Sequence, residues 1–147
     1  MLMKNAMRML APVLLSFVFA IPGTTFLNAQ ITNTIQAHID HSFVIGNTTL
    51  PPGEYTFQMV HNTDQQAMTA TSENDKTSVS FIVGTAIDDH TPRHSELIFR
   101  KYGDTEFLSK IFESGSKDGA EVTEPSRDER RFAQQGLHPI EHTEEQK

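Results

Sequence analysis

Two apolar runs, residues 96–102 and 105–112, are separated by Gly103-Asp104 alone, and that spacing leaves one local geometry open. Strands joined by two residues fold back as an antiparallel hairpin on a primed turn, whose positive φ glycine accepts without steric cost. Register follows from the loop length, so Lys101 stands opposite Glu106 and Phe99 opposite Leu108. Both faces of this hairpin carry apolar groups, which requires cover on each side. A chain containing it is therefore committed to a layered β architecture.

The rest of the sequence repeats the theme. From Ile31 to Asp40, Ile31, Asn33, Ile35, Ala37 and Ile39 alternate with Thr32, Thr34, Gln36, His38 and Asp40, the pattern of a half-buried strand. Pro51-Pro52-Gly53 predicts a type II turn with positive φ at Gly53, after which Tyr55, Phe57 and Met59 line one face of a leaving strand. Asn62-Thr63-Asp64 and Asn74-Asp75 are turn signals around a weak, polar strand near residues 67–71. In the next strand Val79, Phe81 and Val83 alternate with Ser78, Ser80 and Ile82, and residues 88–94 form a polar loop interrupted by proline. Ser126 with Glu129 three residues on forms a capping box, predicting a short helix that ends at Gly136 and docks through Phe132. The polar, acidic residues that follow read as disordered. The expected fold is mainly β: an antiparallel sandwich or small barrel of about six to eight strands with one short C-terminal helix.

The start of the chain has another purpose. Lys4 and Arg8 precede an apolar core at residues 9–21, with no acidic residue before Asp40. A basic start and an apolar core of that size are the marks of a secretory signal peptide. Pro22-Gly23 cuts the run short of the roughly 20 apolar residues needed to span about 30 Å of hydrocarbon. Cleavage after Ala29 divides the chain into a signal peptide at 1–29, one β domain at 30–134 and a disordered acidic tail at 135–147. The product is expected in the periplasm or outside the cell, with no membrane insertion once the signal is removed.

Composition narrows the partners. Loss of Lys4 and Arg8 from 12 basic residues, against 19 acidic ones, takes the formal charge from −7 to −9. Nucleic acid and anionic lipid need a basic face and are disfavoured. No cysteine is present, so disulfides, a lipidated N-terminal cysteine and thiol chemistry are excluded, and the core alone must hold the fold.

Seven histidines invite a metal hypothesis, arranged as the pairs His38/His41, His90/His94 and His138/His142. Zinc requires three or four ligands converging on one point. Residues three apart on a strand face opposite sides, so His38 and His41 can share an ion only where the strand ends between them. His138 and His142 fall in the expected tail. Asp88, Asp89, His90 and His94 share one loop and are the remaining metal candidates, beside the plainer reading of a solvated loop. No G-x-S-x-G occurs. Ser114-Gly115-Ser116-Lys117 matches S-x-x-K without its companion motifs, and the Asn47-Thr48-Thr49 sequon is explained by a turn. No carboxylate pair stands out, so no catalytic residue and no cofactor is assigned.

Residues 43–55, Phe43-Val44-Ile45-Gly46-Asn47-Thr48-Thr49-Leu50-Pro51-Pro52-Gly53-Glu54-Tyr55, together with Leu97-Ile98-Phe99-Arg100-Lys101-Tyr102-Gly103-Asp104 and Ser126-Arg127-Asp128-Glu129-Arg130, resemble a functionally uncharacterised family of small secreted β-rich proteins of soil bacteria. The resemblance implies export and a β fold and carries over no catalytic residue. Such relatives often have Trp in the last strand, where this chain has Phe112. The functional expectation is an exported, non-catalytic domain that binds an unknown protein or takes part in the envelope. The alternatives are a small barrel holding a small apolar ligand among Tyr55, Phe57, Phe81 and Phe99, and a secreted hydrolase or metal enzyme using the 88–94 loop.

Overall fold

The computed structural model of the protein describes residues 31, 34–60 and 66–146. The expected signal peptide at 1–29 and the turn expected at Asn62-Thr63-Asp64 lie outside these residues. Among the described residues ten strands and one helix follow in order: β1 (Ile35–Ile39), β2 (Phe43–Ile45), β3 (Thr48–Leu50), β4 (Gly53–Val60), β5 (Ala67–Ser72), β6 (Ser78–Ile87), β7 (Glu96–Tyr102), β8 (Thr105–Phe112), β9 (Asp118–Val122), α1 (Arg127–Gln134) and β10 (Ile140–Glu145).

The strands form one open, mixed sheet in the order β1-β4-β5-β6-β9-β8-β2-β3, with β7 and β10 branching from the other edge of β8. β6 joins the two parts of the sheet. Ser78 to Ile82 pair with β5, while Val83 to Ile87 pair with β9. The expectation of a purely antiparallel sheet of six to eight strands is corrected in two ways. β2 runs parallel to β8, with Phe43 opposite Glu106 and Val44 opposite Phe107, and short strands that sequence periodicity does not register raise the number to ten.

The hairpin forms in the expected register, Lys101 opposite Glu106 and Phe99 opposite Leu108, with Gly103 at φ 60° in its turn. A bulge at Ser109 then shifts the pairing, so that Ile98 faces Lys110. Leu97, Phe99, Leu108 and Ile111 enter the main core, which also collects Ile35, Ala37 and Ile39 from β1, Tyr55 and Phe57 from β4, and Phe81 and Val83 from β6. On the outer face Ile98 and Phe112 pack with Ala86, and Tyr102 stacks on Phe132 of α1 at 5.6 Å between ring centroids.

The helix follows its capping signals. Ser126 Oγ accepts the Glu129 N–H at 2.9 Å, and Gly136, at φ 77°, closes the C-terminus as Leu137 N–H bonds Phe132 C=O and Gly136 N–H bonds Ala133 C=O. That pair of bonds is a Schellman cap.

Pro51-Pro52-Gly53 behaves differently from its motif. Gly53 is absent from the positive-φ residues and instead opens β4, paired with Ile39. The tight reversal sits earlier, at Gly46-Asn47, between the paired strands β2 and β3. The prolines make a corner that carries the chain from β3, at one end of the strand order, to β4 near the other. Tyr55 ties that corner by donating its hydroxyl to Pro51 C=O at 2.6 Å.

The tail is the larger correction. Residues 140–145, expected to be disordered, form β10 along the free edge of β7, Ile140 opposite Lys101 through Glu145 opposite Glu96. The β domain therefore extends past the boundary expected at residue 134.

Candidate functional site

The loop candidates are occupied with each other. His90 Nδ1 lies 2.7 Å from Asp88 Oδ1, which also accepts the His90 N–H at 3.1 Å, and His90 Nε2 lies 3.4 Å from Glu96 Oε1. Those hydrogen bonds, to Glu96 and then Asp88, raise the His90 pKa. The Asp89 carbonyl accepts from Lys117 at 2.8 Å, and His94 is exposed. These contacts build a loop, with His90 as its peg. Asp88, Asp89, His90 and His94 are not brought to one point.

The other two histidine pairs are split and recombined. β1 ends at Ile39, so the geometric condition for His38 and His41 to converge is met. His38 nevertheless pairs with Glu54 at 2.6 Å on the exposed face, while His41 meets His142 of β10, with ring centroids 5.5 Å apart. Strand alternation sets His142 and Glu144 on one face of β10, both half-buried, with Glu141, Thr143 and Glu145 exposed. His41 Nδ1 stands 3.1 Å from both Asp40 Oδ1 and Glu144 Oε1.

Glu106 lies beneath the pair. It is 5% exposed, and its Oε2 sits 2.8 Å from His142 Nδ1 and 3.0 Å from His41 Nε2, while its Oε1 meets Lys101 Nζ at 3.2 Å. Burial works against its charge. The hydrogen bonds from His142 and Lys101 and the nearby imidazoles outweigh that cost and hold the carboxyl below its ordinary value. Glu144 goes the other way, raised by burial despite His41. Among the described residues, one donor atom from each of His41, His142 and Glu144 lie within 4.8 Å of one another. Two imidazoles and a carboxylate are a donor set that first-row divalent ions accept.

Sequence reasoning named His41 and His142 but assigned them to different pairs, and it passed over Glu106 and Glu144. The one available signal was the hairpin register, which placed Glu106 opposite Lys101.

A second feature is a cleft of about 690 Å³. Val79, Ile82 and Pro125, half-buried, supply apolar wall over the buried core residues Ile45, Phe81 and Val122, and Asn47, Ser80 and Arg130 stand among its polar lining. Asn47 Oδ1 accepts the Arg127 N–H at 3.0 Å, tying the β2–β3 turn to the start of α1, and Arg130 Nη1 donates to Pro125 C=O at 2.6 Å. These bonds give the cleft a framed edge. They also account for Asn47 without glycosylation.

No protein family, curated protein or solved structure matches this chain. The functional reading therefore rests on the site geometry.

Proposed function

We propose that this chain is an exported, non-catalytic binding domain that takes a small ligand with an apolar body and a polar end in the cleft between the β2–β3 turn, β6 and the segment leading into α1. The cleft carries this reading. Its volume of about 690 Å³ falls within the roughly 300–1,000 Å³ typical of small-molecule sites, and its lining is shared between apolar wall and polar groups such as Asn47, Ser80, Glu124 and Arg130, which suits a ligand with both an apolar body and a polar end. Tyr55, Phe57 and Phe99 do not belong to it. They are buried in the core, where Phe43 packs edge-on to Tyr55 at 5.1 Å and to Phe99 at 5.8 Å. Of the four aromatics considered for a ligand, Phe81 alone lines the cleft.

Export, by the basic and apolar pattern of residues 1–29, belongs to the same proposal, as does a periplasmic or extracellular location. So does the finer architecture: a strongly curved, barrel-like sandwich left open at β1 and β10.

Native mass spectrometry of protein purified from an exporting host tests the reading, with Ser80→Trp as the blocked form. Retention of a small molecule by the wild type and its loss from Ser80→Trp is the expected result. No retained molecule, together with no thermal shift across a panel of fatty acids, isoprenoids and aromatic compounds, overturns it.

A further inference from the structure

Strand β10 docks without the apolar stripe that normally holds a strand. Its inward residues are His142 and Glu144, opposite Phe99 and Leu97 of β7, and they meet His41 from the β1–β2 connection. In this seam the buried Glu144 Oε2 has no hydrogen-bond partner among the described residues, and the buried His41 Nε2 has only the Glu106 carboxylate, 3.0 Å away and off hydrogen-bonding geometry. Such atoms are unusual inside a folded protein and ask for an explanation.

A cation supplies one. Zinc binds imidazole nitrogen at about 2.0–2.1 Å and carboxylate oxygen at about 2.0–2.2 Å. Tetrahedral ligands at those lengths stand about 3.4 Å apart, so donors within 4.8 Å of one another need only small side-chain rotations to close on an ion. Ligating histidines usually present their second nitrogen to a carboxylate, which fixes the ring. Glu106 Oε2 is placed for that role, within 3.0 Å of a nitrogen on each ring, and Lys101 holds its other oxygen.

We propose that His41, His142 and Glu144 form a site for a divalent first-row transition ion, best fitted by zinc, that clamps β10 onto the β1–β2 connection, with Glu106 as the positioning residue. The site shares no residue with the cleft, so either reading can fail alone. Its role is structural: it fastens the C-terminal strand.

The test is calorimetric titration of chelator-treated protein with Zn²⁺, with cobalt(II) absorption as a report on coordination and limited C-terminal proteolysis as a report on β10. The wild type is expected to bind one ion per chain, to show visible bands of four-coordinate cobalt, to melt at a higher temperature and to keep β10 from the protease. His142→Ala and Glu144→Gln should each weaken binding at least tenfold, and the double variant His90→Ala/His94→Ala should bind as the wild type does. Absence of stoichiometric binding in the wild type overturns the proposal, whether or not the variants fold. So does binding that survives both cluster variants, or binding lost with His90 and His94.

Discussion

At the scale of single residues, position decides more than residue type. Gly119 in β9 faces Phe112 in the β8 ladder, and a Cβ there would lie 2.6 Å from the Phe112 ring and closer still to the Ile111 carbonyl. A backbone oxygen in a ladder has nowhere to go. Gly119→Ala is therefore expected to destabilise the protein by about 1–3 kcal/mol, the usual cost of overpacking, as a lowered midpoint in urea unfolding. Glu106 makes a second prediction, through pH. Its folded pKa is depressed, so its contribution is complete above the unfolded value, about 4.3 for an ordinary glutamate, and is lost as pH falls through the lower folded value. Glu144, with a raised pKa, has the opposite sign: its contribution is lost as pH rises through and above the ordinary range. Glu106→Gln should accordingly lower stability at neutral pH and flatten the acid limb of a stability profile, whereas Glu144→Gln in metal-free protein should remove the loss on the rising side.

At the scale of elements, the sequence was legible where a local signal and its structural partner lie close together. Gly103-Asp104 set the β7–β8 register because two residues permit little else. Ser126 and Glu129 set the helix start, since the capping bond spans three residues. The weak strand near Ala67 was recovered from its flanking turns and the alternation in β6 from Val79, Phe81 and Val83. Pro52-Gly53 misled because a corner between distant strands and a hairpin turn use the same residues, and only the partner strand tells them apart. β10 was hidden for a related reason. Ile140-Glu141-His142-Thr143-Glu144 has no apolar period, and its face is satisfied by His41 and Glu106, residues far away in sequence. The same distance hid the histidine–carboxylate cluster. Phe132 tests the helix as an element: stacked on Tyr102 and edge-on to Phe107 at 6.2 Å, it is the main apolar anchor of an eight-residue helix. Full burial of Phe is worth about 3–5 kcal/mol against Ala. Phe132 is half-buried, so Phe132→Ala should cost about 2 kcal/mol and abolish most of the helical chemical-shift deviation of residues 127–134 in NMR spectra.

At the scale of the whole molecule, the sheet stops short of closing. β1 and β10 are its facing edges, and the gap between them is a groove of about 500 Å³ lined by Gln36, Ala37, His38, Glu54, Glu145 and Gln146. Across it the His38 N–H donates to Gln146 Oε1 at 2.8 Å, a side-chain bridge in place of a ladder. β5, by contrast, is bonded along both edges, to β4 and β6, and β8 lies between β7 on one side and β9 with β2 on the other. Opening free energies rise with the number of packed and bonded neighbours an element must leave. Hydrogen exchange should therefore be slowest in β5 and β8, near the global unfolding limit, and fastest in β10, with the His38 amide close behind. Gln146→Ala should release the His38 amide while changing global stability by less than about 0.5 kcal/mol, as for other exposed substitutions. Mass-spectrometric exchange at peptide resolution separates the outcomes. Protection of β10 equal to that of β5 in chelator-treated protein would mean that the two edges close in solution; protection of β10 that appears only with Zn²⁺ would show that the open seam is held from its histidine face and not by backbone pairing.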